Sequence, residues 1–326
     1  MDIEKLFPRQ SRDVYGVPRD EISIALDTYG MYRQAEWFSN CHEVFNVRYC
    51  PVCHNPYVTQ FKCRLRICPD CGGSQLHQYI EHTKQKIEAL LEKAPRGYRL
   101  RRVVLTLPPR DDLTVQAIND IRTCFNSLRR SKLFKEKVNH GYGGGLYSIE
   151  TKFRKAGDVY INEKHPNRIK VVESDSWNVH MHLLILSKYI KQKDLAKAWF
   201  KASKGRSYIV FIDEADTSGQ GIYEAVKYCF KPHNLKTAEN YAKYMLVWKG
   251  RRRWQTFGSF RNVRVEKRKG VWLCPFHREK LSPGEEVYRE DVHDVIAGFK
   301  IPRDSILAYS DVEYVEPVFV PASNSP

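Results

Sequence analysis

The sequence predicts an α+β protein: an antiparallel sheet of the ferredoxin/RRM-like kind with helices on one face, preceded by a small zinc-binding module. Three observations carry this. Apolar patterning runs in the order strand, helix, strand, strand, helix, strand, helix over residues 96–235, which is the split βαβ arrangement. One strand, "WNVHMHLLIL" (Trp177 to Leu186), is apolar on both sides except for two histidines. Six of the nine cysteines fall between Cys41 and Cys71, a clustering that points to metal rather than to disulfides.

The elements run in this order. Residues 1–40 are mixed and form an N-terminal extension with a short helix or two. Residues 41–95 hold the cysteines and then "SQLHQYIEHTKQKIEALLEK", where Leu76, Ile80, Ile87 and Leu91 recur at helical spacing behind Ser74 as N-cap. "VVLTL" (Val103 to Leu107) is a strand stopped by Pro108 and Pro109. "DDLTVQAINDIRTCFNSLRR" is a helix with Ile118, Ile121, Phe125 and Leu128 on its apolar side. "GGLYSIETKF" alternates as a strand, and a polar, basic connection leads to the histidine strand. "KDLAKAWFKA" is a helix, "SYIVFID" a strand, and "GIYEAVKYCFK" a helix closed by Pro232. Residues 236–282 form a basic extension, and 283–326 an acidic segment and tail.

Charge bounds the partners. The chain of 326 residues carries a formal net charge of +16, and from Pro283 onward acidic residues outnumber basic ones. Such a balance favours a polyanion, of which nucleic acid is the common one. No apolar run is long enough for a transmembrane helix, and "MDIEKLFPRQ" lacks the apolar centre of a signal peptide. The expected location is the cytoplasm, with no membrane partner.

Cys50-x2-Cys53 and Cys68-x2-Cys71 have the spacing of a tetrahedral zinc site, each pair giving two thiolates from one tight turn. Cys63 competes as a ligand, with His54 and Cys41 as lesser candidates. Four thiolates leave no open position, so this zinc is structural and presents Arg64 and Arg66 to phosphates. "CPFH" (Cys274 to His277) reads as an unpaired half-site.

His180 and His182 project from one face of their strand, since side chains alternate. Two buried imidazoles are costly unless something uses them, and a metal ion does. Glu150, on the preceding strand, is the expected oxygen ligand. On the following helix Glu224, Tyr228 and Lys231 share a face, with Tyr223 and Lys227 on a neighbouring stripe. A phenol beside a carboxylate and a lysine suits a nucleophile attacking a metal-bound phosphodiester.

These residues resemble a known family. "HMHLL" is similar to the His-hydrophobe-His motif of HUH endonucleases, "EAVKYCFK" to their tyrosine motif, and "VVLTL" to their first motif. The pattern C-x2-C-x9-C-x4-C-x2-C resembles the zinc segment of rolling-circle insertion-sequence transposases and related plasmid replication initiators. "KGRRRWQTFGSFR" resembles the segment after the tyrosine helix in plasmid Rep proteins. The resemblance spans about 41–265 and implies that 96–235 is an HUH core. It implies Mg²⁺ or Mn²⁺ held by His180, His182 and Glu150, and attack by Tyr228 on single-stranded or hairpin-extruded origin DNA. A 5′-phosphotyrosine and a 3′-OH primer result. Lys231 or Lys227 would neutralise charge, Glu224 would activate water, and Tyr223 is a second candidate nucleophile. Arg251, Arg252 and Arg253 would bind DNA.

The five-residue spacing of Tyr223 and Tyr228, where transposases of this type show Y-x-x-x-Y, favours a replication initiator working with host helicase and polymerase. A transposase is the alternative, and a noncatalytic zinc-containing nucleic-acid-binding protein the more distant one.

Overall fold

The computed structural model describes residues 12–138, 142–162, 165–215, 222–223, 227, 234–264, 274, 276–277, 279–291 and 318–319. Its first elements are the short strands β1 (Asp13–Val14) and β2 (Val17–Pro18), then helices α1 (Arg19–Thr28) and α2 (Tyr32–Ser39). Strands β3 (Val44–Tyr49) and β4 (Pro56–Gln60) form a hairpin. Helix α3 (Pro69–Lys93) comes next. It starts five residues before the expected Ser74, because Cys68 is its N-cap, Pro69 fits the first helical position and Asp70 complements the first turn.

Strand β5 (Arg99–Thr106) precedes α4 (Val115–Arg130), whose N-cap Thr114 accepts the Ala117 amide. Ile118, Ile121, Phe125 and Leu128 are buried, as their spacing predicts. Then come α5 (Lys132–Lys137), β6 (Gly144–Arg154), β7 (Val159–Asn162), β8 (His165–Val171) and β9 (Ser176–Ser187). The expected polar connection before the histidine strand thus contains a hairpin, β7 with β8. Helix α6 (Gln192–Ala202) and strand β10 (Val210–Glu214) are followed by α7 (Ala238–Trp248), β11 (Trp254–Gly258), β12 (Val263–Arg264), β13 (Glu285–Tyr288) and β14 (Val318–Phe319).

The main sheet has five strands in the order β10-β5-β9-β6-β11, each pair antiparallel. Strand β9 lies at the centre and is covered on both sides. Val179, Met181, Leu183 and Ile185 join the large core with Ile118, Phe125, Leu195 and Trp199 of α4 and α6. On the other face Leu184 and Leu186 pack with Ile87 and Leu90 of α3. Close approach of β6 and β9 requires Gly145, where a Cβ would lie 2.3 Å from the Leu184 carbonyl oxygen.

Contacts cross two of the expected boundaries. The segment before Cys41 joins the main core with α7: the Tyr241 hydroxyl donates to the Val14 carbonyl at 3.2 Å and Tyr29 to Glu239 at 3.0 Å. Strand β13, in the expected acidic segment, pairs with β3 in a three-stranded sheet, β13-β3-β4. Among the described residues no helix is long and apolar enough to cross a membrane.

Candidate metal centres and the histidine face

The β3–β4 hairpin decides how the cysteines group. Cys41 and Cys63 flank its open end, where Cys68 and Cys71 arrive on the first turn of α3; Cys50 and Cys53 sit in the turn at its tip. A strand of this length spans about 17–20 Å, so one ion cannot reach both ends. The single set Cys50, Cys53, Cys68 and Cys71 expected from spacing is therefore corrected to two sets. Cys41, Cys63, Cys68 and Cys71 form one, and Cys50, Cys53, Cys274 and His277 the other. His54, a lesser candidate, belongs to neither and donates its backbone amide to the Cys50 carbonyl at 3.0 Å.

All four cysteines of the first set are buried in the main core. Their sulfurs lie 3.8 Å (Cys41–Cys68), 3.5 Å (Cys41–Cys71) and 3.7 Å (Cys63–Cys71) apart. Those are not disulfide lengths. A tetrahedron with Zn–S bonds near 2.3 Å has edges of about 3.8 Å, so the set fits structural zinc. Outer donors orient it: the Cys63 amide reaches Cys41 Sγ at 3.4 Å, the Leu65 amide Cys63 Sγ at 3.5 Å, and Arg19 Nη2 Cys68 Sγ at 3.5 Å. Contact with Cys41 and Cys63 holds the Cys71 and Cys68 thiols below their ordinary range. Cys63 is pushed up in turn, first by Cys41.

The histidine face is built by three strands in register. His180 sits between Thr106 and Glu150, and His182 between Val104 and Ser148. Alternation puts all six on one face. His182 Nε2 and Glu150 Oε2 are 2.9 Å apart, and His180 Nδ1 is hydrogen-bonded to Thr106 Oγ1 at 3.0 Å. The two imidazole rings lie 6.4 Å apart, centre to centre. Burial pushes the His180 imidazole down to about 4, so it is neutral at pH 7. Glu150, His182 and His180 are thus neighbours, though less tightly drawn together than the two cysteine sets.

Two residues that the sequence reading missed continue this face. Lys152 pairs with Asn178 and Arg154 with Ser176, so both lie on the Glu150 side of β6, and both act electrostatically on His180. Period-two alternation from Glu150 through "ETKFR" is the signal that marks them.

Tyr228, Glu224 and Lys231 lie outside the described residues. Lys227 Nζ lies 5.5 Å from the Tyr223 ring centre. Ile222, next to Tyr223, is buried with Leu184 and Leu186 on the histidine side of the sheet. The expected DNA-binding arginines diverge. Arg253 is 1% exposed, with its guanidinium 4.3 Å from the Tyr244 ring centre and 5.0 Å from that of Trp248. It packs the core and is withdrawn as a phosphate contact. Arg251 donates to the Val247 and Lys249 carbonyls, while Arg252 and Arg64 are exposed and Arg66 half-buried.

No curated protein and no solved structure matches the chain. Residues 27–106, which contain all of the first cysteine set and the hairpin, match the transposase zinc-binding domain family of the IS91 kind.

Proposed function

We propose that the chain is a DNA strand transferase of the rolling-circle transposase kind, which nicks and rejoins single-stranded DNA through a tyrosine. The observation that carries this reading is the meeting of His182, Glu150 and His180 on one sheet face, in a chain whose zinc module is similar to that of transposases. Across the sheet the strands run β10-β5-β9-β6, which are the fourth, first, third and second of these four in chain order. That order supports a ferredoxin-like nuclease core.

His182 and Glu150 present a donor pair that fits a divalent cation. An octahedral ion with bonds of about 2.1 Å has neighbouring ligands about 3.0 Å apart, and His182 Nε2 and Glu150 Oε2 are 2.9 Å apart. His180, neutral and with its Nδ1 engaged by Thr106, lies beside this pair but outside ligand distance of it, and would have to move to complete the set. When bound, Mg²⁺ or Mn²⁺ polarises the scissile phosphodiester.

The chain's own groups do the rest. The Tyr228 phenol oxygen bonds to phosphorus as the P–O3′ bond breaks, and the phenol's proton ends on the departing 3′ oxygen. Rejoining runs the same exchange backwards with another 3′-OH. Lys227 and Lys231 supply positive charge to the pentacoordinate phosphate, and Lys152 and Arg154 hold the strand alongside. The burial of Ile222 on the histidine side supports delivery of the tyrosine segment to this face.

A second reading, the plasmid replication initiator, rests on one observation. Glu224 precedes Tyr228 by four residues in the sequence, and it would activate water and end the reaction cycle by hydrolysis. One experiment serves both. The holoprotein is incubated with Mn²⁺ and single-stranded oligonucleotides tiled across the DNA flanking its own coding sequence, with a labelled second strand present. The transposase reading expects a tyrosine-linked adduct that transfers to the second strand. The initiator reading expects the adduct to be hydrolysed unless Glu224→Gln is introduced. Cleavage without any adduct contradicts both.

A further inference from the structure

We propose that Cys50, Cys53, Cys274 and His277 bind a second zinc ion, which clips the segment around β13 onto the N-terminal module. Cys274 and His277 lie well beyond residues 27–106, so the zinc-domain match does not assign this site. Cys53 Sγ and Cys274 Sγ are 4.0 Å apart; His277 Nδ1 is 3.4 Å from Cys274 Sγ and 3.8 Å from Cys50 Sγ. These are the edges of a tetrahedron built on Zn–S and Zn–N bonds of about 2.3 and 2.0 Å. Cys50, Cys53 and Cys274 are all free thiols, outside any disulfide.

The donor set is three soft sulfurs and one imidazole, which selects zinc over magnesium or calcium. No position stays open, so the ion is structural. Both arms have the same local sequence pattern. Cys50-Pro51-Val52-Cys53 and Cys274-Pro275-Phe276-His277 repeat the C-P-x-ligand turn of Cys68-Pro69-Asp70-Cys71. In the first arm the Val52 amide donates to Cys50 Sγ at 3.4 Å. In the second, the Tyr57 hydroxyl lies 3.1 Å from Cys274 Sγ and the Cys274 amide donates to the Glu279 carbonyl at 2.8 Å. Such outer contacts orient ligands and soften thiolate charge.

A clip adds to the ladder of β13 with β3, because that strand brings little apolar surface of its own. In β13, Glu285, Glu286 and Tyr288 are exposed and only Val287 is half-buried, so apolar burial contributes little. Polar contacts fix the rest. The Tyr49 amide donates to Ser282 Oγ at 2.8 Å, the Ser282 amide to the Tyr49 carbonyl at 2.9 Å, and Arg289 pairs with Glu43 at 3.2 Å. Metal ligation adds binding free energy to folding free energy, and here it joins chain positions more than two hundred residues apart.

Native mass spectrometry of the holoprotein tests the proposal. Two zinc ions per chain are expected, falling to one in Cys274→Ser and His277→Ala, with faster hydrogen exchange at β3 and β13 amides. A wild-type chain holding one zinc, or an unchanged count of two in His277→Ala, overturns it. Chelator release from the wild type needs no variant. His277 is exposed and Cys53 half-buried, whereas the first set is wholly buried. Release is therefore expected in two phases, with alkylation reaching Cys50, Cys53 and Cys274 in the fast one. A single phase that exposes all seven cysteines together, or alkylation of Cys274 before any zinc leaves, contradicts the proposal.

Discussion

His180 and His182 differ in their surroundings although they differ by only two positions. His182 is buried against Glu150, and His180 is hydrogen-bonded to Thr106. If both ligate the cation, His182→Ala or Glu150→Gln removes about 3–4 kcal/mol of transition-state stabilisation, or roughly a thousandfold in nicking rate. Binding of the single strand, measured by fluorescence anisotropy without divalent cation, stays within about twofold. Asp120 offers a test independent of the site. Burial raises its carboxyl pKa, but hydrogen bonds from Gln116, Arg110 and Arg206 outweigh that, and the net shift is downward. The folded state therefore holds its proton less tightly than the unfolded chain. Stability from this group is complete above the ordinary carboxylate range and is lost as the pH falls through the lowered folded value. Asp120→Asn is expected to cost about 1–3 kcal/mol at pH 7 and to flatten the acid limb of a denaturation series.

At the scale of elements, β6 is constrained by its glycines. A methyl at Gly145 would meet the Leu184 backbone, so Gly145→Ala is expected to destabilise by about 1–3 kcal/mol. Thermal melting reads this as a fall of a few degrees, while zinc content stays unchanged. Four of the five strands of the sheet, with helices α4 and α6, were legible in the sequence because each carries one dominant period, whereas β11 lay unread in the basic extension. Strand β9 was readable from its two apolar faces, and α4 from Ile118, Ile121, Phe125 and Leu128. The start of α3 was not, because Cys68-Pro69-Asp70-Cys71 reads as a metal turn and is also a helix cap. Helix α7 was hidden by composition: its Tyr241, Tyr244 and Trp248 are buried, yet with so many lysines and arginines the segment 236–282 reads as a basic extension. Arg253 misled for the same reason, since a cation enclosed by two aromatic rings leaves no mark in the sequence.

Across the whole molecule, pairing of the cysteines was the least legible feature. Two C-x2-C turns look like one site until the β3–β4 hairpin separates them, and only the folded chain brings "CPFH" to the hairpin tip. Cys63→Ser, which breaks the set buried in the main core, is therefore expected to lower the melting temperature far more than His277→Ala, whose site lies at the surface. Charge acts at this scale too. With a net charge of +16, the proposed binding to single strands is expected to weaken with salt. Replacing Lys152 and Arg154 by Ala lowers the log–log slope by about 0.7 for each phosphate no longer neutralised.

The proposed chemistry requires that a tyrosine outside the described residues works on the phosphate held at the histidine face. Intact-mass and peptide-level mass spectrometry after incubation with Mn²⁺ and single-stranded DNA reads this without an intermediary. A 5′-phosphodiester on Tyr228 is expected, absent in Tyr228→Phe and in His182→Ala. An adduct that persists in Tyr228→Phe, or nicking that survives without both histidines, would contradict the proposal.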